Sequence, residues 1–242
     1  MQAILDKGNF VFNPPELGCV LSLKGLPGGS SKIYDRSPYS NIGAIVGATW
    51  IKLPNGLWCL SFDGSDDYVD CGNQNSLRFT GSFTVEAWIK RGATGGTQSV
   101  TSRYDYNGAN NRAWNFYLES NYLQLLVSRD GYKRAIEKTT NTFTSTTNFY
   151  YLVGVYDSQT PKLLLYVNGA LQSSTTTYAG GETSIPTSMA NPATSVYLGN
   201  IPTSLDQDFS GLIALARVHT RVLSVLEIEN HFNQEKHLFE VW

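Results

Sequence analysis

Residues 163–174 read LLLYVNGALQSS, and this stretch decides the fold class. Apolar side chains recur at every second position as far as Val167, which is the period of a β-strand with one buried face. Asn168 and Gly169 follow directly, and both residue types accept the positive φ that a type I′ turn requires. Because Ala170 and the next residue resume the pattern, the stretch predicts a β-hairpin.

The same two-residue period recurs along the chain, in runs separated by glycine, proline, asparagine and aspartate. The clearest further runs are 83–89, 122–127 and 151–155. Many short strands at this spacing predict an all-β protein, a two-sheet antiparallel jelly-roll sandwich. One short C-terminal helix is expected over an open end of the sandwich, because Ser224 and Glu227 stand three apart as in a capping box.

The domain organisation that follows is simple. We expect one domain over residues 17–236, with an N-terminal extension at 1–16 and an apolar C-terminal segment at 237–242. Neither of the two long loop-like stretches, 91–113 and 172–195, is charged enough or long enough to mark a domain boundary.

The composition favours a surface β-protein. Of 242 residues, 41% are hydrophobic and 12% aromatic, enough for a core, whereas only 16% are charged. The net charge of −2 gives no footprint for nucleic acid, and no apolar run is long enough for membrane insertion, so neither partner is expected. The start of the chain lacks the pattern of a signal peptide. The composition predicts an extracellular location or, if the protein leaves its cell without a signal peptide, a location on a virion surface.

The cysteines are odd in number, at positions 19, 59 and 71, so at least one is unpaired within the chain. If the turn at 63–66 closes a hairpin, Cys59 and Cys71 point to opposite faces of one sheet and cannot form a disulfide. We expect three free and mostly buried thiols. No cysteine–histidine spacing predicts a metal site.

A family resemblance appears when the strand-like stretches are taken in order. Together they resemble a laminin G-like domain of the concanavalin A-like lectin and glucanase superfamily. The stretches are LSFDGSDDYVDCG (60–72), SFTVEAWIK (82–90), YYLVGVYD (150–157), LLLYVNGALQSS (163–174), VYLGN (196–200) and FSGLIALARVHTRVLSVLEIENHF (209–232). The match spans about residues 17–233. The resemblance implies two curved antiparallel sheets with a concave face that many relatives use for glycans.

Catalysis is not expected at the aspartates of 63–70. The glucanase branch places two glutamates and an aspartate on one strand, facing a single groove, and no such pattern occurs here. Glu86 has no partner carboxylate on its own strand, and the histidines near the C-terminus accompany no nucleophile motif. We expect no catalytic residues and no enzyme; a glycoside hydrolase is a remote alternative.

Two other interpretations of the aspartates stay open. Many relatives bind a structural calcium ion through an Asp-Gly turn and an acidic pair in a C-terminal motif, where this chain has Ala214 and Leu215. If calcium binds, Asp63 and Asp66 are the expected ligands. The favoured interpretation is a turn in which the Asp63 side chain bonds backbone N–H groups. No other cofactor is expected.

A ligand-binding surface is predicted in the stretch 102–117. It concentrates aromatic, amide and arginine side chains, which stack on sugar rings and bond their hydroxyls: Tyr104, Tyr106, Asn110, Asn111, Arg112 and Trp114. The alternative is that Trp114 belongs to the core and that the two tyrosines only shape a surface loop.

Apolar residues near both ends of the chain suggest assembly contacts, with the body of the protein or with a neighbouring subunit. They are Phe10, Phe12, Leu238, Phe239 and Trp242. The leading functional hypothesis is a non-catalytic, self-associating subunit of a particle, such as a virion decoration, capsid or fibre-type protein. The alternative is a glycan-binding adhesion domain of a secreted or cell-surface protein.

Overall fold

The computed structural model describes residues 5–6, 9–10, 17–27, 29, 31–107, 110–202 and 206–240. For residues 5–6, 9–10 and 26 it describes the backbone alone. The strands are β1 Leu5–Asp6, β2 Asn9–Phe10, β3 Cys19–Pro27, β4 Lys32–Asp35, β5 Gly43–Val46, β6 Thr49–Lys52, β7 Trp58–Asp63, β8 Tyr68–Asp70, β9 Phe83–Arg91, β10 Thr97–Tyr104, β11 Arg112–Glu119, β12 Tyr122–Ser128, β13 Arg134–Thr142, β14 Tyr150–Asp157, β15 Lys162–Val167, β16 Ala170–Leu171, β17 Ser174–Ala179, β18 Tyr197–Leu198 and β19 Ser210–His219. The α-helix α1 is Val225–Glu235, and short 3-10 helices cover Asn75–Leu77 and Lys236–Leu238.

The strands form two antiparallel layers. In the first layer β19 lies between β9 on one side and β3 and β7 on the other, and the layer continues from β9 through β14 and β15 to β16. The second layer runs β8, β18, β10, β11, β12, β13, β17. Strands β4 and β5 connect the layers along one edge. The predicted jelly-roll sandwich is confirmed.

The main core lies between the layers, because alternate residues of each strand point inward. In β9 these are Phe83, Val85, Ala87 and Ile89, and they belong to one buried cluster with Phe116 of β11. A second apolar cluster lies on the opposite side of the first layer, beneath α1. The first layer is therefore covered on both faces.

The hairpin predicted from LLLYVNGALQSS is present between β15 and β16. Val167 pairs with Ala170, and the two turn residues Asn168 and Gly169 have φ of 52° and 79°. Both values are positive, as a type I′ turn requires.

The C-terminal helix begins as predicted but lies elsewhere. The Ser224 side chain accepts a hydrogen bond from the Glu227 backbone, and the Glu227 side chain accepts one from the Ser224 backbone, which completes the capping box. The expectation that the helix closes an open end of the sandwich is wrong. Ile228 is buried in the second apolar cluster with Trp88, so α1 covers the outer face of the first layer.

The turn at 63–66 does not close a hairpin. Strand β7 pairs with β6 and β19 in the first layer, whereas β8 pairs with β5 and β18 in the second. The turn therefore carries the chain from one layer to the other. Cys59 lies in the second apolar cluster and Cys71 in the main core, and both are free thiols. Cys19 is buried as well.

Candidate functional site

The outer face of the second layer carries a group of aromatic and polar side chains. The register pairs Asn115 with Leu126 and Tyr117 with Gln124, so these residues alternate with the inward-facing residues of β11 and β12. Tyr104, Tyr117, Leu126 and Ile201 form a small buried cluster of their own. We call the outer surface around Tyr104, Tyr106, Arg112, Tyr117 and Arg134 the tyrosine face.

Two tyrosines and two arginines form the exposed end of the tyrosine face. The rings of Tyr104 and Tyr106 lie 5.0 Å apart between centroids. The Arg112 guanidinium carbon lies 5.5 Å from the first centroid and 5.4 Å from the second, within cation–π range. Arg134 Nη1 donates a hydrogen bond of 3.2 Å to the Tyr104 hydroxyl. Tyr104 is buried whereas Tyr106 is 37% exposed, so the second ring is accessible to a ligand.

A chain of side-chain hydrogen bonds fixes Tyr106. Ser99 Oγ donates to Asn115 Oδ1 over 2.9 Å, and Asn115 Nδ2 donates to Gln207 Oε1 over 3.1 Å. Gln207 Nε2 donates in turn to the Tyr106 hydroxyl. Burial, and then the neighbouring Tyr104, raise the pKa of Tyr106 to about 12, so this phenol stays neutral at physiological pH. The ring is held in place before any ligand arrives.

This arrangement suits a ligand that is both polar and flat. An aromatic ring offers a stacking surface, and the surrounding hydroxyl, amide and guanidinium groups offer hydrogen bonds that set orientation. A sugar ring has one apolar face and several hydroxyls, and it matches both features.

The structure brings together three of the six predicted ligand residues, Tyr104, Tyr106 and Arg112. Asn110 and Asn111 directly precede Arg112 in the chain. Asn111 Nδ2 donates to the Asn107 carbonyl over 2.9 Å, and Asn110 is exposed. Trp114 is a correction. It is completely buried in the main core, stacked near Phe79 at 6.5 Å, and leaves no surface for a ligand.

Sequence reasoning missed Arg134 and Gln207. Arg134 reaches the tyrosine face only because β13 pairs with β12, where Arg134 lies opposite Ser128. Gln207 arrives from the segment between β18 and β19, far from β10 in sequence. No local pattern in the sequence marks either residue.

The aspartate cluster has the hydrogen bonds of a turn. Asp63 Oδ1 accepts from the Ser65 N–H over 2.8 Å, and Asp67 Oδ2 accepts from the Asp63 N–H over 2.8 Å. Carboxylate oxygens of Asp63, Asp66 and Asp67 also lie within 4.8 Å of one another, close enough to share a cation. Burial raises the pKa of Asp67, an effect that the Asp63 N–H opposes. Both open interpretations therefore keep a structural basis.

Removal of divalent cations separates the two interpretations. The turn hydrogen bonds are complete without an ion, so we expect a chelator to leave the melting temperature unchanged. A calcium site would instead be established by a melting temperature that falls on chelation and recovers when calcium is added. In that case Asp66→Asn should abolish this response. Ala214 and Leu215, at the position of the family's acidic pair, are buried in the second apolar cluster and offer no carboxylate ligand.

A buried charged cluster lies beneath α1, on the other side of the first layer. Glu86 is 1% exposed, and its Oε1 accepts from Arg217 Nη1 over 2.7 Å and lies 3.0 Å from His219 Nε2. Its Oε2 accepts from the Tyr151 hydroxyl and lies 3.1 Å from His231 Nδ1. An ionised carboxylate only accepts, so both imidazoles present an N–H to it.

The electrostatics of Glu86 follow from these partners. Burial alone would raise its pKa, but the Arg217 guanidinium and the hydrogen bonds from His219 and His231 outweigh burial and hold the pKa well below the usual value. Burial, and then the charge of Glu86, raise the pKa of Tyr151. Glu86 is thus an anion with its hydrogen-bonding positions occupied.

The helix contributes a second carboxylate to this cluster. Glu235 accepts from Arg217 through Oε1 and from the Trp88 indole N–H through Oε2, the latter over 2.7 Å. Glu86 and Glu235 are joined through Arg217 and do not face each other across an open groove. The cluster fastens α1 to the first layer and presents no accessible reacting group.

The chain matches the family model described as the concanavalin A-like lectin/glucanases superfamily, a laminin G-type model, over residues 63–229. Among solved structures, it resembles the binding domain of Paraclostridial Mosquitocidal Protein 1, with 18% identity and a TM-score of 0.67 over 89% of this chain and 52% of that one. No curated protein sequence matches the chain.

Botulinum neurotoxin binding domains are also similar. The type G receptor binding domain has 14% identity and a TM-score of 0.62, covering 89% of this chain and 51% of that one. The serotype D ligand binding domain, solved in complex with N-acetylneuraminic acid, has 14% identity and a TM-score of 0.64, covering 89% and 50%. The chain thus spans about half the length of these structures, and identities this low show the shared fold alone. None of the helices among the described residues has the length and apolar character of a membrane span.

Proposed function

Because the chain belongs to the concanavalin A-like lectin/glucanases superfamily, we propose that it is a non-catalytic binding domain that recognises a glycan on its tyrosine face. One observation carries the proposal: Tyr106 is accessible yet held in place by Gln207 and flanked by Arg112. The opposite flank of the sandwich is covered by α1, so the tyrosine face is the side on which aromatic and polar groups converge.

The structural relatives support a binding role. These similar structures are a binding domain, a receptor binding domain and a ligand binding domain in complex with N-acetylneuraminic acid. We carry over only the general role of recognising a ligand. The residues that support it in this chain are those of the tyrosine face, argued from their own geometry.

Truncating Tyr106 tests the site. We expect Tyr106→Ala to weaken glycan binding about tenfold or more, because loss of an aromatic anchor costs about 2 kcal/mol at a binding surface. A glycan array, followed by titration calorimetry of the best ligand, measures this.

Tyr34 supplies the matched control for that experiment. It is an exposed tyrosine on β4 with the Arg36 guanidinium 6.0 Å from its ring, so it repeats the tyrosine–arginine pairing outside the tyrosine face. Tyr34→Ala should bind as the wild type does. Equal loss in both variants, or an array without any bound glycan, would contradict the proposal.

The particle-subunit hypothesis has less support than the glycan-binding one. It rested partly on apolar residues near the ends of the chain, and Leu238 and Phe239 pack in the chain's own second apolar cluster. The backbone of Phe10 lies in β2, whereas Phe12 and Trp242 lie outside the described residues. Self-association stays a prediction, which the native mass of the protein tests; a monomer would remove it. We keep an extracellular or virion-surface location as part of the proposal, to be checked by locating the protein in its source.

A further inference from the structure

Arg112 holds an unusual position on the tyrosine face. It is fixed by two aromatic rings, yet among the described residues its side chain donates no hydrogen bond and meets no carboxylate within ion-pair distance. A guanidinium has five N–H donors in a planar fork, so this side chain has unused donors in a fixed orientation.

Arg134 adds a second positive charge near Tyr104 and Tyr106. Within the described chain its one side-chain hydrogen bond runs from Nη1 to the Tyr104 hydroxyl, and its buried Nε has no acceptor there. Both arginines affect Tyr106 electrostatically, since each favours the ionised form of that phenol and so opposes the rise in its pKa. Neither of these two arginines forms an ion pair with a carboxylate of the described chain.

Other arginines of the described chain have oxygen acceptors, which are neutral for Arg91 and Arg103 and carboxylates for three more. Arg129 pairs with Glu182, Arg217 with Glu86 and Arg221 with Glu227. Arg112 and Arg134 both lie beside Tyr104, so an anion bound there would be attracted by both positive charges. The tyrosine face thus offers an anionic ligand two positive charges in addition to its aromatic stacking surface.

We infer that the tyrosine face selects acidic glycans, with Arg112 and Arg134 binding a carboxylate or sulfate group while Tyr106 stacks on the sugar ring. This inference rests on the proposed function and narrows its ligand class. A guanidinium fork matches a carboxylate or sulfate with two parallel hydrogen bonds, and such charge-assisted bonds are stronger than bonds to neutral hydroxyls.

The test is an array in which every acidic glycan is printed beside its neutral counterpart. Sialylated glycans and their desialylated forms make one arm, and sulfated glycans and their unsulfated forms make the other, so the arms separate carboxylate from sulfate. We expect acidic members of at least one arm to bind about tenfold or more tighter than their neutral partners. Added salt should weaken the acidic members more.

Substitutions assign the preference to the two arginines. Arg112→Gln and Arg134→Gln should each remove most of the acidic preference, and Arg112→Lys, which keeps the charge but not the fork, should retain part of it. Lys138→Gln is the matched control. Lys138 lies over Tyr122 at 4.3 Å, near the other end of β12, so its charge can be removed without changing either arginine.

The possible outcomes distinguish failure of this inference from failure of the proposed glycan-binding function on which it rests. Equal binding of acidic and neutral partners overturns the acidic preference and leaves the glycan site standing. An acidic preference that survives both arginine substitutions also overturns the assignment. An array without any bound glycan overturns the inference and the proposed function together. Melting curves of all variants confirm that each one is folded.

Discussion

Replacing Glu86 by alanine is expected to lower the free energy of unfolding by about 3–5 kcal/mol, the cost of breaking a buried ion pair by removing one partner. The substitution leaves Arg217, His219 and the Tyr151 hydroxyl facing a space without their acceptor. Chemical denaturation followed by tryptophan fluorescence measures the change, because Trp88 lies in the same cluster.

Lys162→Ala is the control for that substitution. Lys162 pairs with Asp157 over 3.8 Å while its side chain is 50% exposed, and a surface pair of this kind contributes at most about 1 kcal/mol. If Glu86→Ala loses no more stability than Lys162→Ala, the cluster does not hold the helix to the sheet.

Lowering the pH should reduce the free energy of unfolding through the protonation of Glu86. The folded pKa of Glu86 lies below its ordinary value of 4.5, so the folded state takes up this proton less readily than the unfolded chain. Its contribution is therefore fully present above about pH 4.5 and is lost as the pH falls toward the folded pKa. Glu86→Gln should flatten the stability curve in that range. Because Arg217, His219, His231, Tyr151 and Glu235 surround the group, the difference between the two curves is the informative quantity.

Phe239→Ala is expected to lower the free energy of unfolding by about 3–5 kcal/mol, the usual range for truncating a buried phenylalanine. The ring is 5% exposed, stacked on Trp88 at 4.2 Å between centroids and close to Phe149 at 4.8 Å. Asn55 Nδ2 donates to the adjacent Leu238 carbonyl over 2.6 Å, which fixes the segment. Thermal and chemical denaturation measure the loss.

Leu226 is the control, since it is an apolar residue of α1 with 65% of its surface exposed. Leu226→Ala should change stability by less than about 0.5 kcal/mol. Phe239 could pack on its own domain or contact a neighbouring subunit. The native mass of the Phe239→Ala variant, and that of a chain lacking 237–242, distinguishes these two roles. A variant that keeps its stability but loses an oligomer would show that Phe239 contacts a neighbouring subunit and not its own body.

The fold was predictable because its signals are local. Alternation along β9, β14 and β15 reflects burial between two layers, and Asn168–Gly169 reports a backbone conformation that few residues accept. The turn at 63–66 shows the limit of such signals. Turn residues reveal that the chain changes direction, but the partner of the next strand depends on contacts with β5 and β18.

The candidate site was predictable in part for the same reason. Tyr104, Tyr106 and Arg112 are close in sequence, whereas Arg134 and Gln207 arrive through the order of the strands. Trp114 alternates regularly with Phe116 and Leu118 along β11, and all three lie in the main core, so alternation along its own strand indicated its burial better than the aromatic character of the stretch did.

The Glu86 cluster was missed because its partners are distant in sequence. The strand of Glu86 carries no second carboxylate, and the partners Arg217 and His231 lie 131 and 145 positions away along the chain. Trp88 alternates with the inward-facing residues of β9 and points away from the main core, and α1 and the residues after it cover that position.

Because α1 and the residues after it cover the outer face of the first layer, the two flanks of the domain differ. One flank is the blind side, covered by the chain itself, and the other carries the proposed binding surface. Copies fixed to a common support by their blind sides would all display Tyr106 in the same direction. Weak individual contacts with a repetitive carbohydrate coat would then add up to firm attachment through avidity.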